Sequence, residues 1–310
     1  MKLLQLSSTS LRKQLAGHGI WLRTGPFSLR VQSRLPSVAE GLIELYGQFE
    51  VRDPHFAFAD FHVEINAPGL LRRWIRPQVN FSFDGDLPFK PLPLDQAYPM
   101  LEWGLNWCVS MHAHQYLIIH AGVVEKNGLA AILPAPPGSG KSTLTAGLVL
   151  SGWRLLSDEL TLIDRTTGLI HPLPRPVSLK NESIAVIRAF SPDAFINRAS
   201  HDTAKGTVAH MRPPKESVRR QHEPARPGWV IFPRWAAHSS AKLTPRSQAQ
   251  TFMFLAQNAF NYSHLGSDGF RVGTQLIEHT RCYDFEYSQL DEAIATFNAL
   301  AEAALVHNAA

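Results

Sequence analysis

Two cysteines in 310 residues, Cys108 and Cys282, are too few for a disulfide framework, and their isolation gives no metal-ligand spacing. Both are expected as reduced, buried thiols. No apolar run approaches the roughly 18 residues that a membrane-crossing helix needs. The N-terminal segment MKLLQLSSTSLRKQLAGHGI also lacks a continuous apolar stretch of signal-peptide length. The expectation is a cytoplasmic protein with no membrane partner. Charge is scarce too: 18% of residues are charged, and the formal net charge is only +4. That balance suits a small anionic ligand such as a nucleotide and is too weak to imply nucleic acid. No internal repeat and no low-complexity segment interrupts the chain.

Apolar residues are present in quantity. They make up 45% of the sequence, enough for one large domain or two ordinary ones with a substantial core. Residues 1–99 read as a β-rich region with irregular loops. Phe61, Val63 and Ile65 alternate with His62 and Glu64, the pattern of a half-buried strand. Phe56 and Phe58 alternate on the opposite parity, so a bulge or break near Ala59-Asp60 is expected. Val79, Phe81 and Phe83 repeat the alternation. Pro88, Pro91, Pro93 and Pro99 then mark a boundary, and residues 100–310 read as the second unit.

Leu101, Leu105, Cys108 and Met111 fall at helical spacing, which predicts a packed helix from Met100 to about Tyr116. Two apolar runs follow, YLIIHAGVVE and LAAILPA, and the Asn127-Gly128 pair between them signals a hairpin. STLTAGLVLSG reads as a helix that stops at Gly152. WRLLSDELTLID reads as two short strands meeting near Ser157-Asp158. Further strands are expected at Gly168 to Ile170 and at Trp229 to Phe232, with a C-terminal helix from about Leu290.

The most informative segment is Ala135-Pro136-Pro137-Gly138-Ser139-Gly140-Lys141-Ser142, followed by Thr143. It fits the phosphate-loop pattern with Ala at the first glycine position. Gly138 and Gly140 allow a tight turn whose N–H groups point inward, and the following helix adds the positive end of its dipole. In such a loop Lys141 reaches the β- and γ-phosphates of a nucleotide and Ser142 offers its hydroxyl to magnesium. An apolar strand entering the loop and an apolar helix leaving it strengthen the match.

Asp158 and Glu159 stand 17 residues after Lys141, a gap that one helix and one turn fill. They should therefore lie at the end of a strand adjacent to the loop. One carboxylate there can hold Mg2+, and a second can accept the proton of an attacking hydroxyl.

The short gap and the doubled acid resemble HPr kinase/phosphorylase and its distant relative phosphoenolpyruvate carboxykinase. The run from Leu117 to Asp164, including the pair His120-Ala121 upstream of the loop, is similar to the core of that kinase family. Over most of the chain the likeness is to the branch called HPr-kinase-related kinase A. The resemblance implies an α/β fold, a P-loop kinase core with a mixed sheet preceded by the β-rich N-terminal region. It implies Asp158 as the catalytic carboxylate with His120 close to it, and Glu159 as a further magnesium ligand. The family more often has a second aspartate at that position, which leaves open which carboxylate meets the metal. PRPVSLKN, Pro174 to Asn181, resembles the same branch and makes Arg175 and Lys180 candidates to neutralise phosphate charge.

The expected activity is transfer of the γ-phosphoryl group of ATP to a serine or threonine hydroxyl of a small protein or peptide. An ATPase switch without a transfer substrate and a small-molecule kinase are the alternatives. Relatives in the branch are associated with small PqqD-like proteins, and related kinases often form homo-oligomers. In the second half, KGTVAHMRPP is expected as a shaped loop offering Lys205, His210 and Arg212. Lys215, Arg219, Arg220 and Arg226 form a basic segment able to clamp an acidic partner or to stay solvated. Asn258 and Asn261 are weaker candidates for a binding role. No segment specifies ATP over GTP.

Overall fold

The computed structural model describes residues 1–52, 58–69, 76–136 and 138–309. The N-terminal part contains helix α1 (Ser8–Ala16), strands β1 (Ile20–Thr24) and β2 (Phe27–Ser33), helix α2 (Pro36–Tyr46), and strands β3 (Val51–Arg52), β4 (Phe61–Asn66), β5 (Gln78–Phe83) and β6 (Leu92–Pro93). Its strands form one sheet in the order β3-β1-β2-β4-β5-β6. In β4 the side chains of Phe61, Val63 and Ile65 are buried while His62 and Glu64 are exposed, as the alternation requires. Phe58 lies outside the strand and is 77% exposed, so the apolar alternation does not extend back to it. Phe56 lies outside the described residues. Asp60 ends the pattern: its carboxylate accepts from the Ser28 N–H at 2.7 Å, and its own N–H donates to Ser28 O at 2.8 Å.

Helix α3 (Ala97–His112) comes next. It buries Leu101, Leu105 and Cys108 in one cluster with Ile20, Val31, Phe61 and Phe81 of the N-terminal sheet. The boundary expected at residue 99 thus falls just inside a helix that packs on the N-terminal side. Met111, placed by spacing on the same face, is 51% exposed, because the helix ends one residue later and leaves the sheet.

The remaining strands are β7 (Tyr116–Lys126), β8 (Leu129–Pro134), β9 (Arg154–Ser157), β10 (Leu160–Asp164), β11 (Ile170–His171), β12 (Val177–Lys180), β13 (Ser200–Thr203), β14 (Gly206–Met211), β15 (Arg226–Trp235), β16 (Lys242–Pro245) and β17 (Arg281–Tyr287). The helices between and after them are α4 (Lys141–Leu150), α5 (Glu182–Phe190), α6 (Lys215–Arg219), α7 (Gln248–Asn258), α8 (Tyr262–Leu265), α9 (Ser267–Glu278) and α10 (Leu290–Ala309). Eight strands make the main sheet, in the order β11-β10-β7-β8-β15-β17-β16 with β9 also on β7. β8, β15 and β17 run parallel and the other pairs antiparallel, so the chain is an α/β protein with a mixed sheet.

The hairpin between β7 and β8 turns on Asn127 and Gly128, both with positive φ (57° and 80°), which the twist of a two-residue hairpin demands. β8 is buried on both faces. Ala131 and Leu133 meet α4 and α10 through Leu144, Leu148 and Phe297, while Ala130 and Ile132 meet α7 and α9 through Leu255, Val272 and Leu276. A strand sandwiched by helices reads as a continuous apolar run, as this one does. KGTVAHM is a strand, not the loop expected. β14 is the centre of a small three-stranded sheet, β12-β14-β13, with His210 buried in it. Among the described residues no helix is long and apolar enough to cross a membrane.

Candidate functional site

β8 delivers the chain into the glycine-rich loop and α4 takes it away. Gly138 and Gly140 both have φ of +85°, a conformation that residues with a Cβ avoid. α4 starts directly at Lys141, and no side chain caps its N-terminus. Its first N–H groups and dipole therefore point outward, ready for an anion. The Lys141 ammonium is buried without a hydrogen-bond partner, as are the hydroxyls of Ser139 and Thr145. Burial pulls the Lys141 pKa down while the carboxylate of Asp158 pulls it back up. Ala135, Pro136, Ser139, Ser142 and Thr143 stand in the loop or the first turn, and Pro137 lies outside the described residues.

The acidic pair occupies the break between β9 and β10. β7 faces both strands: Val123 pairs with Ser157 and His120 with Leu160, so Asp158 and Glu159 stand opposite Ala121 and Gly122. The pair was expected beside the loop, and Asp158 does meet Ser142, although the sheet places β7 between the acidic turn and the loop's own strand. Contact with the loop survives because β7 carries Gly122 at the crossing. A Cβ there would lie 2.8 Å from Thr145 Oγ1 and 3.2 Å from Asp158 O. Only glycine lets α4 and the acidic turn approach this closely.

Asp158 is buried. Its Oδ2 accepts from the Ser178 N–H at 3.0 Å and from the Ser142 hydroxyl at 3.4 Å, while its Oδ1 has no partner. Burial raises its pKa against the pull of Lys141. Glu159 behaves oppositely. Burial would raise it too, but the ammoniums of Lys180, Lys205 and Lys141 outweigh that and hold it at about 2. Its two oxygens accept from Lys180 Nζ at 3.2 Å and Asn106 Nδ2 at 2.5 Å. Two neighbouring carboxylates are thus driven apart in basicity, which suits one to proton transfer and the other to holding charge.

His120 points into the same field. Burial first, then the Lys141 ammonium, lower its pKa to about 4, so the ring is neutral at neutral pH. The hydrogen bonds of Asp158 go to Ser178 and Ser142 and not to His120, whose nearest charges are Lys141 and Glu159. Arg175 was expected at the phosphates. It instead turns to Asn106, which accepts from it, and to Glu102 at 3.8 Å. Asn106 therefore stands between Arg175 and Glu159. Glu102 in turn accepts from the hydroxyls of Tyr46 at 2.8 Å and Tyr98 at 2.7 Å. This buried polar chain runs from the N-terminal core to the acidic pair. A small cavity of about 20 Å³ lies beside it, walled by Trp103, Asn106, Asp158, Arg175, Ser178 and His210.

Lys205 joins the site from the β13–β14 turn. Its ammonium lies 5.6 Å from the Trp103 ring centroid and within the field of Glu159. Arg212 turns away, over the Phe195 ring at 4.1 Å, with a bond to Glu44 O. The basic segment is largely paired within itself, Arg219 with Glu216 and Arg220 with Glu223. Asn261 spends its amide on the edge of β7, accepting from Ile118 N at 3.0 Å and donating to Tyr116 O at 2.8 Å, and Asn258 bonds Phe254 O. Sequence reasoning missed Asn106, Ser178 and Gly122. Only Gly122 carried a local signal, as a second small residue after His120-Ala121.

Among the described residues no three His, Cys, Asp or Glu side chains converge to hold a metal ion. No protein-family model matches the chain, and no curated protein matches it.

Proposed function

We propose that this chain is an ATP-dependent kinase related to HPr kinase/phosphorylase, on the branch of HPr-kinase-related kinase A, and that its acceptor is a serine or threonine of a small protein or peptide. The observation that carries the reading is a buried ammonium without a partner, Lys141, at the uncapped start of α4 and in the field of buried Asp158, whose Oδ1 also has no partner. Nature leaves such groups unsatisfied where a ligand completes them. A string of phosphates supplies the missing acceptors for Lys141 and for the loop N–H groups.

In this reading the acceptor hydroxyl comes to lie beside the free Oδ1 of Asp158. Its oxygen attacks the γ-phosphorus, the bond from that phosphorus to the β-γ bridging oxygen breaks, and ADP leaves. Asp158 takes the hydroxyl proton, and the burial that raises its pKa makes it the stronger base of the pair. Lys141 and the loop N–H groups balance charge on the departing β-phosphate, with Lys180 and Lys205 on the flank of Glu159. Neutral His120 lies in the field of Lys141 and Glu159 without adding charge.

Ser142, Asp158 and Glu159 are the residues that would hold magnesium. Of these, the Ser142 hydroxyl and the partnerless Oδ1 of Asp158 are open to an ion that takes the rest of its shell from phosphates and water, whereas both oxygens of Glu159 are engaged by Lys180 and Asn106. Magnesium, when bound, neutralises phosphate charge. A cytoplasmic setting supplies the ATP and keeps Cys108 and Cys282 reduced, and both are free, buried thiols. A PqqD-like protein is the first acceptor to try.

The test is mass spectrometry of the protein mixed with Mg-ATP and small proteins encoded beside its gene, with Asp158→Asn as control. One added phosphate on a Ser or Thr of a neighbour, absent with the variant, is the expected result. ATP hydrolysis with no phosphorylated product would transfer the reading to an ATPase switch, and phosphate on an added metabolite to a small-molecule kinase.

A further inference from the structure

Trp235 ends β15 beside the glycine-rich loop, and 53% of its surface is open. What sets this exposed ring apart is its place against the loop. The residue is built into the loop's surroundings. Its backbone N–H donates to Ser139 O at 3.0 Å, and its Cβ lies 3.2 Å from where a side chain on Gly140 would begin. Its indole N–H donates to Ser288 O at 3.1 Å, which fixes the direction of the ring. Tyr287, on the neighbouring strand, donates to Gly140 O at 3.2 Å and props the loop from beneath.

The strand order sets what this ring can meet. β8 carries the loop, with β7 and then the acidic turn on one flank and β15 with Trp235 on the other. Three inter-strand steps separate the acidic pair from Trp235, roughly 14 Å at the usual strand spacing. That distance is comparable to an extended nucleoside triphosphate from terminal phosphate to base. With the terminal phosphate at Lys141 and the acidic pair, the chain of phosphates crosses the loop and delivers the base to the β15 flank.

We propose that the indole of Trp235 is the stacking platform for the nucleobase, and that the site reads the face of a purine and not its edge. The proposal rests on the phosphate-binding reading of the loop. Glu286 accepts from Ser239 at 2.7 Å and pairs with Arg234, and the Ser288 hydroxyl donates to Ser239 O at 2.7 Å. With these side chains bonded to one another, we assign the base edge no reader, so that adenine and guanine are held alike. Stacking on an aromatic face tolerates any base in this way.

Calorimetric titration of the full chain with Mg-ATP, Mg-GTP and Mg-tripolyphosphate tests this, using the wild type, Trp235→Ala and Trp235→Phe. The wild type should bind ATP and GTP within about three-fold of each other, and both more tightly than tripolyphosphate. Trp235→Ala should weaken both nucleotides roughly five- to hundred-fold and leave tripolyphosphate unchanged, which also shows that the loop is intact. Trp235→Phe should restore most of the loss. Equal loss of nucleotides and tripolyphosphate in both variants would make Trp235 a prop of the loop and overturn the platform. Unchanged nucleotide binding in Trp235→Ala would overturn it as well. A wild-type preference between ATP and GTP beyond about 30-fold would overturn the face-only reading. A wild type that binds nucleotides and tripolyphosphate alike removes the platform and leaves the phosphate reading standing, whereas one that binds none of the three removes the phosphate reading itself.

Discussion

Asp158 has one oxygen engaged by Ser178 and Ser142 and one with no partner, and the proposed function makes the free oxygen the proton acceptor. On that proposal Asp158→Asn keeps the shape and loses the base. Phosphoryl transfer should fall by about 10²- to 10⁴-fold with nucleotide binding retained, and single-turnover assays beside calorimetry read the two apart. Gly122 is a residue chosen by space. A methyl there meets Thr145 Oγ1 at 2.8 Å and Asp158 O at 3.2 Å, so Gly122→Ala should destabilise by about 1–3 kcal/mol and depress transfer. Gly69→Ala, where a Cβ meets nothing within 4 Å among the described residues, should stay within about 0.5 kcal/mol in the same urea titration. His120 makes the acid side of the stability curve steeper. Its folded pKa of about 4 lies below the ordinary value near 6.5. Between those values the unfolded chain binds a proton that the folded one refuses, so stability falls as pH drops through that window. The urea midpoint of the wild type should therefore fall further between about pH 7 and pH 4.5 than that of His120→Asn.

Individual elements were legible where a short-range rule governs them. Asn127-Gly128 dictates its hairpin, Gly138 and Gly140 the loop, and the apolar run of α4 its helix. KGTVAHM was misread because Gly206 and the prolines after Met211 look like loop punctuation, whereas they bracket a strand. Arg175 was misplaced for a related reason. It follows Pro174 on an irregular stretch, and only the packing of α3 against that stretch turns it to Asn106 and Glu102. The same packing makes α3 part of the site. Asn106 holds Glu159 at 2.5 Å from a helix 53 residues upstream. Asn106→Ala should lower kcat by about 10- to 100-fold, the usual cost of losing a group that orients a working carboxylate. KM for nucleotide should move less than about three-fold, and Asn106→Asp should not rescue, since it places a second carboxylate against Glu159. Steady-state kinetics on all three proteins decides it.

At the scale of the whole molecule, the N-terminal sheet is joined to the eight-stranded sheet through α3. That helix buries Leu101, Leu105 and Cys108 among the N-terminal strands and presents Glu102 and Asn106 toward the acidic pair. The two parts should unfold together. Tryptophan fluorescence and far-ultraviolet circular dichroism should give one coincident urea transition, and separate midpoints would show that the N-terminal sheet melts by itself. The sequence alone determined the phosphate-binding pattern, the hairpin before it, the acidic turn 17 residues after Lys141, and the α/β class. These depend on backbone conformation and on periodicity within a few turns of chain. Tertiary structure alone decided that β7 separates the acidic turn from the loop strand, that Gly122 makes this tolerable, that Lys205 joins the field of Glu159 while Arg175 reaches Asn106, and that Trp235 stands open on the far flank. Each of these is a meeting of elements tens of residues apart, set by strand order and by which faces pack, and no local pattern of apolar and polar residues encodes strand order.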